Sequence, residues 1–284
     1  MATQLLSYST LMINKIFQLL PDHLRGKQRL ARLVLKILRK AAKSQRVSGS
    51  YGCVYELPNL IENVSFELFI NGAYERETLD FMVLNIPKDA CVLDIGANIG
   101  SLAVPLAVRR GDITIHCVEA SPHVAGYLRK NIEINGLKTR IHVHELALSD
   151  SQLDTVDFFS PVDLFGKGSM ASNFSKQAIP VKNLSLDQFA TTLGRSIDFI
   201  KIDIEGYEVN VFNSGKQTLS APNAPLILFE ACDWAEKVAG NNPGAAQIVL
   251  RNFGYQLANM LTPENSLIEN IQVGFAMVFA RKIK

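Results

Sequence analysis

Apolar and polar positions recur along this chain with two periods, one of strands and one of helices. Short apolar runs rich in β-branched residues occupy 91–95, 113–118, 141–145, 199–204 and 225–229, and read as buried strands. Between them, Leu102, Ala103, Leu106 and Ala107 recur at helical spacing, Pro122 follows the N-cap candidate Ser121, and Glu208 opens a helix through Val211 and Phe212. Strands separated by helices predict an α/β chain with a doubly wound, largely parallel sheet. A helix at 245–252, strands at 255–260 and 272–280, and the turn residues Pro263 to Ser266 predict a closing C-terminal β-hairpin, which makes seven strands. Upstream, 60–70 reads as strand-like and ends in the Asn71-Gly72 turn, and 75–85 reads as a short helix before Pro87. Residues 151–185 show no clear period and are rich in Ser, Gly, Phe and Pro, which leaves two readings: a functional insert that walls a ligand site, or a two-stranded arm.

The N-terminus has a different character. Leu30, Leu33, Val34, Ile37, Leu38 and Ala41 follow the i, i+3, i+4, i+7 pattern, with Arg29, Arg32, Lys36, Arg39, Lys40 and Lys43 interleaved. This basic amphipathic helix either packs on the catalytic domain or a second subunit, or docks through residues 29–43 on an anionic membrane or an acidic partner. Gly49 to Gly52 reads as a linker, so the expected organisation is a basic helical appendage over 1–50 and a catalytic domain over 51–284.

Composition sharpens this division. The 284 residues are 48% hydrophobic and 20% charged, which describes a folded chain. The net charge of +2 predicts no strong attraction to nucleic acid, yet residues 1–50 hold ten Lys or Arg against the single acid Asp22. The remainder carries 19 bases against 26 acids. No run reaches the roughly 18 apolar residues a membrane span needs. Cys53, Cys91, Cys117 and Cys232 form no C-x-x-C pair, so a reducing cytosol is expected, with peripheral contact at the inner face of a membrane if the basic helix docks there.

Candidate chemistry gathers where the strands end. The first strand ends on Asp94 and runs into Gly96-Ala-Asn-Ile-Gly100, two glycines four apart, unlike the G-x-G-x-x-G dinucleotide fingerprint. An acid two positions before the first glycine sits badly against a pyrophosphate and suits a cationic ligand bearing an amino group. Glu119 follows the second strand, 25 residues after Asp94, close to the spacing at which a βαβ unit places an acid on ribose hydroxyls. Lys201 and Asp203 lie two apart on one face of the fourth strand, where an ion pair offsets the cost of burying either. Glu230 follows the fifth strand, beside Trp234, which either walls the pocket or packs elsewhere. His116, His142 and His144 are read as structural, since no third ligand of metal spacing stands near the pair on the third strand.

The Asp94-Ile-Gly-Ala-Asn-Ile-Gly100 run resembles motif I of S-adenosylmethionine-dependent methyltransferases in the form used by the FkbM family, and Lys201-Ile-Asp-Ile-Glu-Gly-Tyr-Glu208 resembles that family's most distinctive segment. The resemblance spans about 66–280. It implies a seven-stranded Rossmann-like methyltransferase sheet, an S-adenosylmethionine site at Asp94, Gly96, Ala97, Asn98, Gly100, Glu119 and Ala120, and an adenine wall near Glu145 and Ala147. It further implies O-methylation of a saccharide, glycolipid or other small-metabolite hydroxyl, with no nucleic-acid substrate, because an Asn/Asp-Pro-Pro-Tyr motif is absent. Asp203 is the first candidate for a general base and Glu230 the second, with Lys201 beside them; Mg²⁺ on the two acids is the alternative way to activate the hydroxyl. Two other function classes compete: a non-catalytic membrane-surface adaptor retaining the fold, and a nicotinamide oxidoreductase, which the Asp94 pattern disfavours.

Overall fold

The computed structural model describes residues 2–21, 24–37, 43–170, 175–260 and 274–282. Its central sheet has seven strands: β1 Cys91–Ile95, β2 Thr114–Val118, β3 Ile141–His144, β4 Phe199–Ile202, β5 Leu226–Cys232, β6 Tyr255–Asn259 and β7 Phe275–Lys282. Their order across the sheet is β3-β2-β1-β4-β5-β7-β6. The first five are mutually parallel; β7 runs antiparallel between β5 and β6 and closes the expected hairpin. All five β1 residues and all four β4 residues are buried. That explains runs that are apolar except for Asp94 and Lys201, since both sheet faces are covered. Alternation splits the core: Val92 joins one apolar cluster and Leu93 the other. From β1 the chain moves outward to β2 and β3, then returns to lay β4 on the opposite side of β1. The crevice at the carboxyl ends of β1 and β4 is therefore the topological switch point at which such sheets bind ligands.

Helices α1 Ala2–Leu19, α2 Lys27–Ile37, α3 Asn63–Asn71 and α4 Arg76–Asn85 precede the sheet. The strand-like reading of 60–70 is corrected to α3. Its apolar residues are buried nearly all round, so no amphipathic period marks it. Glu62 starts it by accepting from the Val64 and Ser65 N–H groups, and Gly72 ends it in the left-handed conformation. The helix α5, Ala103–Arg109, follows β1, and α6, Pro122–Ile134, follows β2 with Ser121 as its N-cap, as expected.

The described part of 1–50 is built into the same core. Asn14, fully buried, donates to the Phe69 carbonyl at 2.7 Å and accepts from Ser48 N–H at 3.0 Å. Phe17, Ala31 and Leu35 belong to the cluster that holds Val92. The face of α2 that packs is Lys27, Ala31 and Leu35, which corrects the expected stripe: Leu30, Leu33 and Ile37 are more than half exposed. Small Ala31 lets the helix approach closely, and the Arg32 guanidinium covers the Phe66 ring at 4.1 Å. Leu38 and Ala41 of that stripe, and the turn at 263–266, lie outside the described residues. No helix among the described residues is long and apolar enough to cross a membrane.

The segment 151–185 forms the two-stranded arm. Strands at Thr155–Phe159 and Ala178–Leu184 pair antiparallel as an arm, while 165–170 between them turns back over the crevice.

Candidate active site

A cavity of about 380 Å³ opens at the switch point, a size typical of small-molecule sites. Its floor is the turn after β1. Gly96 holds φ +77°, and a Cβ there would lie 2.1 Å from the Asp203 carbonyl oxygen. Only glycine therefore lets the β1 turn and the β4 end touch. The Gly96 and Ala97 N–H groups both donate to the Val118 carbonyl, at 2.9 and 3.1 Å, which anchors the same turn to β2. Asn98, at φ +53°, then directs its N–H onto Glu119 Oε2 at 3.0 Å.

Glu119 accepts a second backbone hydrogen bond, from Ser121 N–H to Oε1 at 2.9 Å. Burial pushes its carboxyl up to about 7, against the downward pull of the Ser121 and Asn98 bonds. Each oxygen keeps a further acceptor position, so the carboxylate retains two sites for a diol.

Lys201 is buried between Asp203 Oδ2 at 3.4 Å and Asp94 Oδ1 at 3.9 Å. Burial alone would lower its pKa, but Asp203, Asp94 and Glu75 overcome that and raise it, so it stays a cation. The expected Lys201–Asp203 pair is present, and Asp94 joins it across the sheet. Burial raises the carboxyls of Asp94 and Glu75. Asp94 Oδ1 and Glu75 Oε2 are buried with no hydrogen-bond partner. Asp94 lines the cavity, and an acceptor left this way there is costly unless a ligand donor meets it. Glu230, from β5, is pushed up to about 9 by burial and by Asp203, Glu205 and Glu208, against Lys201. It therefore holds its proton at neutral pH.

Of the residues named from the sequence, Asp94, Gly96, Ala97, Asn98, Glu119, Ala120, Ala147, Lys201, Asp203 and Glu230 line the cavity together. Two do not. Glu145 points outward and pairs with Arg129 at 2.7 Å, because the strand ends one residue earlier and the cavity wall passes to Leu146–Leu148. Gly100 serves packing: a Cβ there would meet Leu128 of α6 at 2.8 Å. Trp234 is half exposed and is not a lining residue. The histidines stack on β2 and β3, with His116 Nδ1 3.0 Å from His144 Nε2, and burial lowers His116 to about 4. Among the described residues no group of three or more His, Cys, Asp and Glu could hold a metal ion, so nothing here supports the Mg²⁺ alternative.

Sequence reasoning missed Glu62, Glu205 and Tyr207. The only local trace of Glu62 was an acid just ahead of an apolar run. Glu205 lies inside the motif already singled out; its Oε1 takes Lys167 Nζ at 2.6 Å, tying the 165–170 segment over the cavity.

A family model described as the Methyltransferase FkbM domain matches residues 94–257, more than half of the chain. The chain belongs to the FkbM methyltransferase family. The match begins at Asp94, on the turn just described. This FkbM chain is 30% identical over 149 residues to the 2-O-methyltransferase NoeI of Sinorhizobium fredii, covering 46% of this chain and 60% of that protein. It is 40% identical over 53 residues to a tRNA wybutosine-synthesizing protein 2 homolog of Rattus norvegicus, 19% of this chain and 12% of that one. The matched segments thus span less than two thirds of the length of these relatives. Among solved structures, M. jannaschii TYW2 in complex with AdoMet aligns at 13% identity over 84% of this chain and 85% of that chain, with a TM-score of 0.42.

Proposed function

We propose that this FkbM-family protein transfers a methyl group from S-adenosylmethionine to a hydroxyl of a saccharide, glycolipid or other small metabolite. The observation that carries the reading is the pair of acids at the β4 and β5 ends. Both line one cavity: Asp203 is ion-paired with Lys201 and a quarter exposed toward it, and the Glu230 carboxyl is pushed up by burial and its acidic neighbours. The donor's fit rests on the orphaned Asp94 oxygen, which suits its ammonium, on the Glu119 carboxylate, which suits its ribose, and on an excess of acids around one buried lysine, which suits its cationic sulfur. A sulfonium supplies an activated methyl group, so the protein's work is alignment, exclusion of water and handling of the acceptor proton.

Asp203 takes the hydroxyl proton as the new oxygen–carbon bond forms and the carbon–sulfur bond breaks. A positioned base of this kind contributes roughly 10²–10⁴-fold. Lys201 holds Asp203 and Asp94 in place, and the Gly96 turn sets their spacing. Phe165, Ser169 and Met170 of the covering segment offer the acceptor apolar surface and a hydroxyl. The acidic lining disfavours a nucleic-acid substrate, and the 2-O-methyltransferase relative favours a hydroxyl acceptor. We place the reaction in a reducing cytosol, because all four cysteines are unpaired.

Titration calorimetry with S-adenosylmethionine, followed by labelled-donor assays over saccharides and glycolipids, tests the proposal. The parent should bind the donor, and Asp203→Asn should bind it comparably while transfer falls about 10²-fold or more. Absence of donor binding would refute the reading as a whole. Parent-level transfer by Asp203→Asn at neutral pH would refute the base assignment.

A further inference from the structure

Helices α1 and α2 each leave an apolar stripe in solvent. On α1, Met12, Ile16 and Leu19 recur at i, i+4 and i+7, and Leu19 is 85% exposed. On α2, Leu30, Leu33 and Ile37 recur at i, i+3 and i+7, and Ile37 is 69% exposed. On each helix this face lies away from the one that packs, α1 on α3 and the strand Gln45–Ser48, and α2 on α3. Single exposed leucines are ordinary, but two complete stripes on consecutive helices are not.

Charge decides what covers them. Lys15, Arg25, Arg29 and Lys36 are exposed beside the stripes, and neither helix contains an acid. Two copies of this face brought together would set cation against cation. A polar solvent-facing helix would not carry the leucines, and a buried core helix would not carry the bases. Apolar residues flanked by bases, with no acid, fit the boundary of an anionic bilayer, where side chains enter the acyl region and the cations meet headgroups.

We propose that α1 and α2 form a docking face that holds the protein on an anionic lipid surface. This is independent of the methyl-transfer chemistry, since none of these residues lines the cavity. It also widens the contact from the 29–43 segment alone to both helices, with Met12, Ile16 and Leu19 of α1 joining Leu30, Leu33 and Ile37.

Co-sedimentation of the full chain with phosphatidylcholine vesicles, with and without about a third phosphatidylserine, tests it. The protein should pellet with the anionic vesicles at low salt and not with the neutral ones. Binding should weaken as the Debye length shrinks from about 10 Å at 0.1 M salt toward about 3 Å at 1 M. Arg29→Gln should lower partitioning about fivefold, and Leu33→Ser with Ile37→Ser about tenfold or more. Unchanged thermal melting by circular dichroism would show that these exposed substitutions leave the fold intact. Failure to pellet with anionic vesicles at low salt, or parent-level binding by the folded variants, overturns the proposal. So does light scattering that shows a dimer dissociated by the same substitutions, which would assign the face to a second copy.

Discussion

Replacing Glu230 by Gln tests the electrostatics of the cavity most directly. The carboxyl is pushed up to about 9 from 4.5, first by burial and then by Asp203, Glu205 and Glu208. A carboxyl whose folded pKa is raised holds its proton in the native state while the unfolded chain releases it. The native state thus binds more protons between about pH 4.5 and 9, and its stability falls as pH rises through that window. The group's contribution is fully present below about 4.5 and is lost by about 9. Inside the window the slope approaches about 1.4 kcal/mol per pH unit. For a chain of this size that is about 2–4 °C in Tm per pH unit. Gln preserves shape and neutrality but cannot ionise. Differential scanning calorimetry from pH 6 to 9 should therefore show Glu230→Gln declining less steeply than the parent, with the two curves diverging most at the alkaline end. Because Glu230 is neutral at pH 7, the same variant should keep methyl transfer within about tenfold there, in contrast to Asp203→Asn. Parallel Tm slopes for parent and variant would refute the raised pKa. Loss of transfer by Glu230→Gln matching that of Asp203→Asn would refute the division of roles between the two acids.

Other outcomes follow from single contacts. Gly96→Ala forces a Cβ onto the Asp203 carbonyl at a left-handed φ, so donor affinity in calorimetry should fall at least tenfold, and Tm should fall by several degrees. Glu119→Gln turns one of two acceptors of backbone N–H groups into a donor; a loss of about 1–3 kcal/mol in denaturant unfolding and weaker donor binding are expected, whereas Glu145→Gln, outside the cavity, should leave donor affinity unchanged. Lys201→Met leaves the buried Asp94 and the partly buried Asp203 without their cation, so unfolding by urea should show a loss of about 3–5 kcal/mol, partly recovered by Lys201→Arg.

Much of the architecture was local information. A parallel strand buried on both faces must be an apolar run, and a turn at φ +77° must be glycine, so β1, β2, β4 and the Gly96 turn were legible from the chain alone. Asp94, Glu119, Asp203 and Glu230 were legible for the same reason, each standing at or just past the end of such a run. Helix α3 was not, because burial on all sides erased its period, and the arm at 155–184 stood only as one of two readings, because its strands gain their apolar neighbours only by pairing.

What the sequence determined by itself is thus the strand–turn–helix grammar and the acids at the strand ends, since both depend on residues close in the chain. Only the tertiary structure decided which of those acids face one cavity. Glu145 turned away to Arg129, Gly100 went to packing against Leu128, and Glu62 and Lys167 arrived from segments far along the chain. It also decided how the acids ionise. The Glu230 carboxyl is raised by burial and because β4 and β5 lie side by side and bring Asp203, Glu205 and Glu208 near it, and no spacing along the chain encodes that proximity.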